Sequence, residues 1–185
     1  MVRDYLRATQ ENTDPAKFFN AVLKLKTIKR QGWKDRLDMR NPESVAEHCF
    51  AMSAIAMAIA DEENLDTLKI VKMTILHDLA ESIVGDLTPN QVTKSEKIRL
   101  ENDAMKKILK TLPQKLQKDY WQLWQEYQKK TTKESVFVHR IDKLEMTLQA
   151  KVYATRYSKK KLQPFFESAR SEISGSTLAR FIPDL

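Results

Sequence analysis

The residues best suited to chemistry in this sequence are two histidines and two aspartates, which lie in three separate segments. His48 ends the run ESVAEH, His77 is followed at once by Asp78, and Asp142 lies far along the chain in the run RIDK. Imidazole and carboxylate ligands together suit Mn²⁺, Fe²⁺, Co²⁺, Ni²⁺ or Zn²⁺, and the lack of thiolate ligands argues against a structural zinc. The pattern therefore predicts a site for one divalent transition-metal cation.

A cation held by these side chains indicates hydrolytic chemistry. About two positions would stay open on an octahedral ion, enough for a phosphoryl oxygen and a water. The cation would then draw charge from the phosphoryl group and generate hydroxide near neutral pH. Glu81 is an i,i+4 neighbour of His77 on the predicted helix, so its carboxylate is suited to hold or deprotonate the water. Asp86, just past the helix end, could reach the substrate or a second, weaker cation such as Mg²⁺.

The segments that must position these side chains have the pattern of helices, without the alternation typical of β-strands. The predicted helices run from Pro15 to about Lys29, from Asn41–Glu43 to Ala60, from Asp66 or Thr67 to Val84, from Lys94 to Leu112, from Pro113 to about Lys130 and from Glu134 to Tyr157. Residues 30–42 are predicted to form a loop, and residues 162–185 one or two short helices. The sequence therefore predicts an all-α fold. We expect one domain over residues 1–185, with a core at about 16–157 and a helical tail at 158–185.

Composition and charge limit the class of protein. The net charge of +7 and the pI near 9.4 favour anionic ligands such as nucleotides, nucleic acid or acidic lipids. Only three glycines occur, so neither a GxGxxG motif nor a P-loop can form, and phosphate binding must rely on a metal and on cationic side chains. The single cysteine, Cys49, excludes an intrachain disulfide and suits a reducing compartment.

The same features predict a cytoplasmic protein without a membrane partner. Residues 1–13 are polar and lack the apolar core of a signal peptide. The apolar run at residues 49–60 is too short to cross a bilayer and is better explained as a buried helix. The helix around Trp121 and Trp124 is explained equally well by core packing or by a dimer interface. The methionines expected to fill the core are Met52, Met57, Met73, Met105 and Met146.

These motifs resemble the signature of a known superfamily. The order His48, His77-Asp78 and Asp142 is similar to the H…HD…D pattern of the HD-domain metal-dependent phosphohydrolases. The runs ESVAEH at 43–48, HDLAE at 77–81 and GDL at 85–87 resemble the small HD-domain 5′-deoxynucleotidases of bacteria, archaea and eukaryotes. The similarity extends from about Phe18 to Ala154. It implies an all-α, commonly dimeric fold that removes phosphate from nucleoside 5′-monophosphates, preferring the deoxy form, by attack of a metal-activated water.

The resemblance also implies roles for residues outside the metal site. Glu81 would assist the water, and Asp86 would lie near the sugar or a second cation. An arginine and a tryptophan before the first histidine helix contact substrate in this family, and they correspond here to Arg30 and Trp33. Bacterial members have this pair side by side, whereas RQGW at 30–33 follows the eukaryotic and archaeal style. A forked guanidinium suits phosphate, and an indole can exclude a 2′-hydroxyl by clash, although Trp33 is also explained as an anchor in the core.

Two other functions stay open from the sequence. One is an HD-type hydrolase of another nucleotide, such as a dNTP, a cyclic nucleotide or an alarmone. Two-metal members usually draw further histidines between the HD pair and the last aspartate, and only His139 is left over here. The other is a non-catalytic metal-containing module that binds nucleic acid, although no nucleic-acid motif is present. We expect a nucleotide as the substrate, a second copy of the chain as the partner in a homodimer, and no binding of nucleic acid. We expect that His139 and Glu47 do not bind the metal.

Overall fold

The structure, a computed structural model, describes residues 13–185. The prediction about a signal peptide therefore concerns residues that, except for Thr13, lie outside the described part of the chain. Within residues 13–185 the helices are α1 (Pro15–Lys24), α2 (Gln31–Leu37), α3 (Val45–Glu62), α4 (Thr67–Leu76), α5 (Glu81–Val84), α6 (Lys94–Leu109), α7 (Gln114–Lys129), α8 (Lys133–Tyr153), α9 (Lys159–Ile173) and a short 3₁₀ helix (Thr177–Phe181). The only β pairing in this range is an isolated bridge between Lys29 and Ser44, so the predicted all-α fold is confirmed.

The helix that carries His48 begins later than predicted because a capping box fixes its start. The Ser44 hydroxyl accepts a hydrogen bond from the Glu47 backbone N–H (3.2 Å), and the Glu47 carboxylate accepts one from the Ser44 N–H (2.5 Å). This reciprocal pair satisfies two donors that a helix start leaves free. Helix α3 therefore begins at Val45 rather than within Asn41–Glu43, and the Glu47 carboxylate is occupied by the cap.

The predicted loop at residues 30–42 is wrong, because α2 forms within it. Its two buried residues, Trp33 and Leu37, are four positions apart and face the same side of a helix. Helix α1 also ends at Lys24, earlier than predicted. The backbone carbonyl of Ile28 accepts a hydrogen bond from the Val45 N–H (2.9 Å), so this segment pairs with the start of α3 instead of continuing as helix.

The predicted helix from Asp66 to Val84 is divided by a turn. Asp66 caps α4, since its carboxylate accepts a hydrogen bond from the Lys69 N–H (3.0 Å), and Gly85 ends the segment with a positive φ of 77°. Residues 77–80 form a tight turn between α4 and α5, in which the Glu81 N–H donates to the Asp78 carbonyl (3.0 Å). The HD pair therefore lies at a helix end rather than in mid-helix.

The core under this turn is made by α3, α4, α7, α8 and the tail. Met52, Met73 and Met105 are buried as expected, but Met57 is 49% exposed. Trp124 is buried and donates to the Asn102 side chain (2.7 Å), so core packing rather than a dimer interface accounts for it.

The tail is more regular than predicted. Helix α9 has 15 residues and continues through Pro164, and it buries Leu162 and Phe166 against Trp33. No helix in the described range is both long enough and apolar enough to span a membrane.

Candidate metal centre and active-site cavity

The two predicted histidines and two predicted aspartates converge on one point. His48 comes from α3, His77 and Asp78 from the turn after α4, and Asp142 from α8. The His48 Nε2 atom lies 3.4 Å from Asp142 Oδ1 and 3.8 Å from Asp78 Oδ2, and the His77 Nε2 atom lies 3.1 Å from Asp78 Oδ2. Both imidazoles are buried, and their ring centroids are 5.4 Å apart.

This donor set fits a divalent cation. The Nε2 atoms of His48 and His77 are buried, and neither has a hydrogen-bond partner among residues 13–185. Buried polar atoms in proteins are nearly always paired, so two unpaired nitrogens beside two carboxylates indicate a missing ligand. Donor atoms of His48, His77 and Asp142 all lie within 4.8 Å of one another. Nitrogen and oxygen donors of this kind suit a borderline or hard divalent metal.

A hydrogen bond to the other ring nitrogen orients each imidazole. The Nδ1 atom of His48 lies 2.6 Å from Glu145 Oε2, and the Nδ1 atom of His77 lies 2.7 Å from the Thr74 backbone carbonyl. When Nδ1 carries the proton, Nε2 keeps the lone pair that a metal requires. Sequence reasoning missed Glu145, although its position three residues after Asp142, on the same face of α8, was a usable signal.

Without a cation the four side chains form a charged cluster. Burial and the Arg30 charge oppose protonation of His48, but the neighbouring carboxylates of Asp142 and Glu145 raise the pKa of its imidazole to about 9. Burial acts against the Asp142 carboxylate, but the nearby His48 and Lys143 hold its pKa well below the usual value. Metal binding must therefore displace protons from the imidazoles.

Arg30 lies directly over the aspartates. Its Nη1 atom is 3.3 Å from Asp78 Oδ2, and its Nη2 atom is 3.9 Å from Asp142 Oδ1. Burial disfavours the guanidinium charge, but Asp78 and Asp142 raise its pKa further above its ordinary value. The structure thus brings this predicted substrate residue to the predicted metal site, with a permanently charged fork beside it.

Glu81 and Asp86 lie on the same side of the site. Glu81 is 2% exposed, and its Oε2 atom has no hydrogen-bond partner within the described residues. Burial, together with the charges of Asp78 and Asp86, raises the pKa of the Glu81 carboxyl well above its usual value. Asp86 Oδ2 accepts a hydrogen bond from the Gln31 backbone N–H (2.7 Å), which ties the loop after α5 to the start of α2.

Lys97 is a further cation at the site that sequence reasoning did not single out. Its ammonium donates to the Leu87 carbonyl (2.8 Å) and lies 3.5 Å from Glu101 Oε1. Burial opposes its charge, but Glu101 and Glu81 raise its pKa. Lysines are scattered over the whole sequence, so nothing in the local pattern distinguished this one.

Trp33 belongs to both the core and the cavity wall. It is 2% exposed, its Nε1–H donates to Glu43 Oε1 (2.8 Å), and its ring centroid lies 4.3 Å from that of Phe165 and 5.1 Å from that of Tyr153. It also lines the cavity described next. Both interpretations made from the sequence therefore stay open, and the substrate contact remains a prediction.

One cavity opens onto the metal cluster. Its volume is about 470 Å³, within the range of small-molecule sites. Its lining includes Arg30, Glu81, Asp86 and Lys97 beside His77, Asp78 and Asp142, together with the aromatic rings of Trp33, Tyr127 and Phe165. His139, expected not to bind the metal, stacks on Tyr127 with 4.1 Å between ring centroids, and its Nε2 atom lies 2.9 Å from the Tyr127 backbone carbonyl.

Known proteins with similar sequences are 5′-deoxynucleotidases from several eukaryotes. The chain is 41% identical over 167 residues to the 5′-deoxynucleotidase HDDC2 of Dictyostelium discoideum, covering 84% of this chain and 87% of that protein. The human 5′-deoxynucleotidase HDDC2 is 36% identical over 170 residues, covering 91% and 82%. The 5′-deoxynucleotidase YGK1 of Saccharomyces cerevisiae is 34% identical over 173 residues, covering 91% and 80%.

The fold is also similar to a solved structure. The crystal structure of the PH0347 protein from Pyrococcus horikoshii superposes with a TM-score of 0.75 at 31% identity, covering 90% of this chain and 92% of that one. A family model described as an HD domain matches residues 22–181, which include all four predicted metal ligands and the whole of α9. With this match and with relatives above 30% identity over most of its length, the chain belongs to the HD-domain family.

Proposed function

We propose that this chain is a metal-dependent 5′-deoxynucleotidase, which hydrolyses deoxyribonucleoside 5′-monophosphates to phosphate and the deoxyribonucleoside. The observation that carries the proposal is the pair of buried, unpaired Nε2 atoms of His48 and His77, which face two aspartates at the end of a cavity of nucleotide size. The similarity to named 5′-deoxynucleotidases is secondary support, since the sequences of the relatives described above are only 34–41% identical to this one.

In this proposal His48, His77, Asp78 and Asp142 hold one divalent cation, Mn²⁺, Co²⁺, Ni²⁺, Fe²⁺ or Zn²⁺. When bound, the cation supplies positive charge to the phosphoryl oxygens and lowers the pKa of water. If a second, weaker cation such as Mg²⁺ binds beside the first, the carboxylates of Glu81 and Asp86 would be its ligands. The donor types support the choice of metals, since the group His48, His77 and Asp142 offers nitrogen and oxygen atoms only.

The other side chains of the site have separate roles in the hydrolysis. Arg30 binds the phosphate and orients it, because its fork matches two phosphate oxygens. Glu81 takes a proton from the attacking water, and its raised pKa makes it a stronger base than an ordinary carboxylate. A bond forms between the water oxygen and phosphorus, and the bond from phosphorus to the 5′-oxygen breaks. The 5′-oxygen takes up a proton from solvent, and Glu81 returns its proton to solvent. Asp86 lies toward the sugar.

Preference for the deoxy sugar is assigned to Trp33. Its indole is fixed by the hydrogen bond to Glu43 and by packing against Phe165, so it cannot easily move away from a bulkier sugar. A rigid wall of this kind rejects a 2′-hydroxyl by steric clash. The same rigidity also fits a purely structural role. The two roles are distinguished by the ratio of deoxyribonucleotide to ribonucleotide activity in a Trp33→Phe variant, which falls only if Trp33 excludes the 2′-hydroxyl.

The test is phosphate release by metal-stripped protein that is resupplied with Mn²⁺, Co²⁺, Zn²⁺ or Mg²⁺. Paired deoxyribo- and ribonucleoside 5′-monophosphates are the substrates. Metal-dependent release with a deoxy preference is expected. Release only from dNTPs, cyclic nucleotides or alarmones would replace the proposal with another HD-type hydrolase. No turnover of any nucleotide, together with salt-dependent binding to oligonucleotides, would favour a non-catalytic module.

We further propose a cytoplasmic homodimer in which each chain is a single domain with no nucleic-acid partner. Four large apolar side chains are exposed on the neighbouring helices α3 and α4, and they support a second copy as the partner: Phe50 (77%), Leu68 (66%), Ile75 (51%) and Met57 (49%). Phe50 and Met57 are seven residues apart on α3, as are Leu68 and Ile75 on α4, so each pair lies on one face of its helix. Exposed apolar faces are typical of protein interfaces. Light scattering that gives a dimer mass for the wild type and a monomer mass for Phe50→Glu is expected, and a monomeric wild type would contradict the proposal.

A further inference from the structure

We propose that Glu145 is a positioning residue for the metal centre, because its carboxylate fixes the ring orientation and the tautomer of His48. This inference rests on the proposed function, in which His48 is a metal ligand. Glu145 itself lies behind the imidazole, on the side opposite the cation, and contacts neither the cation nor the substrate. Its effect on the reaction passes entirely through His48.

The contact between the two side chains is short and sealed from solvent. Glu145 Oε2 lies 2.6 Å from His48 Nδ1, Glu145 is 3% exposed, and the His48 side chain is fully buried. A buried imidazole without this partner would have no water with which to satisfy Nδ1. Its ring would then be free to rotate or to carry its proton on Nε2, the atom that faces the aspartates. Either change removes the lone pair needed by the cation.

Of the two acids beside His48, Glu145 is the one that pairs with the Nδ1 atom. Glu43 is the other acid beside His48, and its donor atom lies within 4.8 Å of those of His48 and Glu145. Its Oε1 atom, however, accepts the hydrogen bond from the Trp33 indole (2.8 Å). Glu43 therefore anchors α2, while Glu145 alone holds the imidazole.

The test compares metal affinity in Glu145→Ala and Glu145→Gln with that of the wild type, by chelator competition on the full-length metal-loaded protein. Loss of a group that orients a metal ligand weakens binding by about 10–100-fold. We expect about tenfold for Glu145→Gln, which keeps the volume and a weaker neutral acceptor, and close to 100-fold for Glu145→Ala.

Glu134→Gln is the matched control. Glu134 is also a buried acid on α8, 6% exposed, but it pairs with Lys69 (3.4 Å) and does not touch the metal cluster. Its variant should bind metal as the wild type does. Metal affinities of Glu145→Gln and Glu145→Ala within about twofold of the wild type, or an equal loss in Glu134→Gln, would overturn the proposal.

A spectroscopic readout separates positioning from simple destabilisation. In the Co²⁺-loaded protein, each ligand histidine with a protonated Nδ1 gives a strongly shifted, exchangeable proton resonance. The wild type should show two such resonances, and Glu145→Gln should shift or broaden one of them, that of His48. Two unchanged resonances in Glu145→Gln would contradict the role of Glu145 even if Glu145→Ala failed to fold.

Neither measurement uses a nucleotide. A wild type that binds metal tightly but hydrolyses no monophosphate would therefore contradict the proposed activity and leave the role of Glu145 intact. Conversely, an active wild type whose Glu145 variants bind metal normally would overturn only the inference about Glu145.

Discussion

The two histidines of the candidate metal centre are held in different ways. His77 is fixed locally, because its Nδ1 atom lies 2.7 Å from the backbone carbonyl of Thr74, one turn earlier in the chain. His48 is fixed by a side chain 97 residues away, since its partner Glu145 comes from α8. The HD pair thus carries its own support, whereas the first histidine becomes a competent ligand only when α3 and α8 have packed together.

The difference predicts unequal sensitivity to mutation. No side-chain substitution can remove a backbone carbonyl, so the orientation of His77 depends on the end of α4 alone. The orientation of His48 depends on one buried carboxylate and on the packing that carries it. The site thus has two halves, one around His77 and one around His48. Asp78, Glu81 and Arg30 lie where these halves meet, so their variants test whether the halves act as one site.

The largest effect is expected for Asp78→Asn, because the Asp78 carboxylate lies near the Nε2 atoms of both histidines, at 3.1 Å from His77 and 3.8 Å from His48. Phosphate release should fall to the level of metal-stripped protein, while circular dichroism shows unchanged helicity. Full activity in this variant would show that the two halves do not share a cation.

The next largest effect is expected for Glu81→Gln. Removal of a general base typically lowers kcat by about 10²–10⁴-fold. The four predicted ligands are unchanged in this variant, so its metal content by mass spectrometry should match that of the wild type. Loss of metal together with activity would instead make Glu81 part of the metal-binding set.

The same variant has a pH-dependent effect on stability. The pKa of the buried Glu81 carboxyl is raised in the folded metal-free protein, so its ionisation opposes folding once the pH exceeds the ordinary value of 4.5. Glu81→Gln removes this penalty. Its Tm in the metal-free form should match that of the wild type near pH 4 and exceed it increasingly as the pH rises toward 8. A wild type that is more stable than the variant at pH 8 would contradict the sign.

A smaller effect is expected for Arg30→Lys, which tests the cation that spans both halves. Arg30 reaches Asp78 with one nitrogen and Asp142 with the other, and lysine cannot bridge two acceptors with the same fixed geometry. Losing one hydrogen bond to a charged group costs about 1.5–3 kcal/mol, or roughly 10–100-fold in kcat/KM. Unchanged kcat/KM would indicate that Arg30 serves only to neutralise the aspartates.

The smallest effect is expected for Thr74→Val, which changes the side chain beside His77 but keeps its carbonyl. The Thr74 hydroxyl pairs with Ser53 (2.9 Å), so stability should fall by about 1 kcal/mol, measured by denaturant unfolding. Metal affinity should equal that of the wild type. A tenfold loss of affinity would show that His77 is as dependent on side chains as His48 is.

The sequence was sufficient for the helical fold and for the four residues that meet at the centre. His48, the HD pair and Asp142 stood out because they are metal-ligand residue types in an order that resembles the HD-domain signature.

Features that depend on tertiary contacts could not be predicted from the sequence. Helix α2 forms because Trp33 and Leu37 are buried against the tail, and nothing local to residues 30–42 records that packing. The turn at residues 77–80 interrupts a pattern that is apolar enough for one continuous helix. The spacing of Glu145 from Asp142 places it on the same face of α8, but its contact with His48 arises only when α3 and α8 meet. Lys97 looks like an ordinary charged residue of an amphipathic helix, and its contact with Leu87 arises only in the folded chain.

The most direct test of a single centre between the two histidines is an anomalous difference map from crystals of the Co²⁺- or Mn²⁺-loaded protein, collected at the absorption edge of the metal. We predict a peak bounded by His48 Nε2, His77 Nε2 and the carboxylates of Asp78 and Asp142. A peak only in the group Glu43, His48 and Glu145, or only in the group Cys49, His77 and Asp78, would contradict the account.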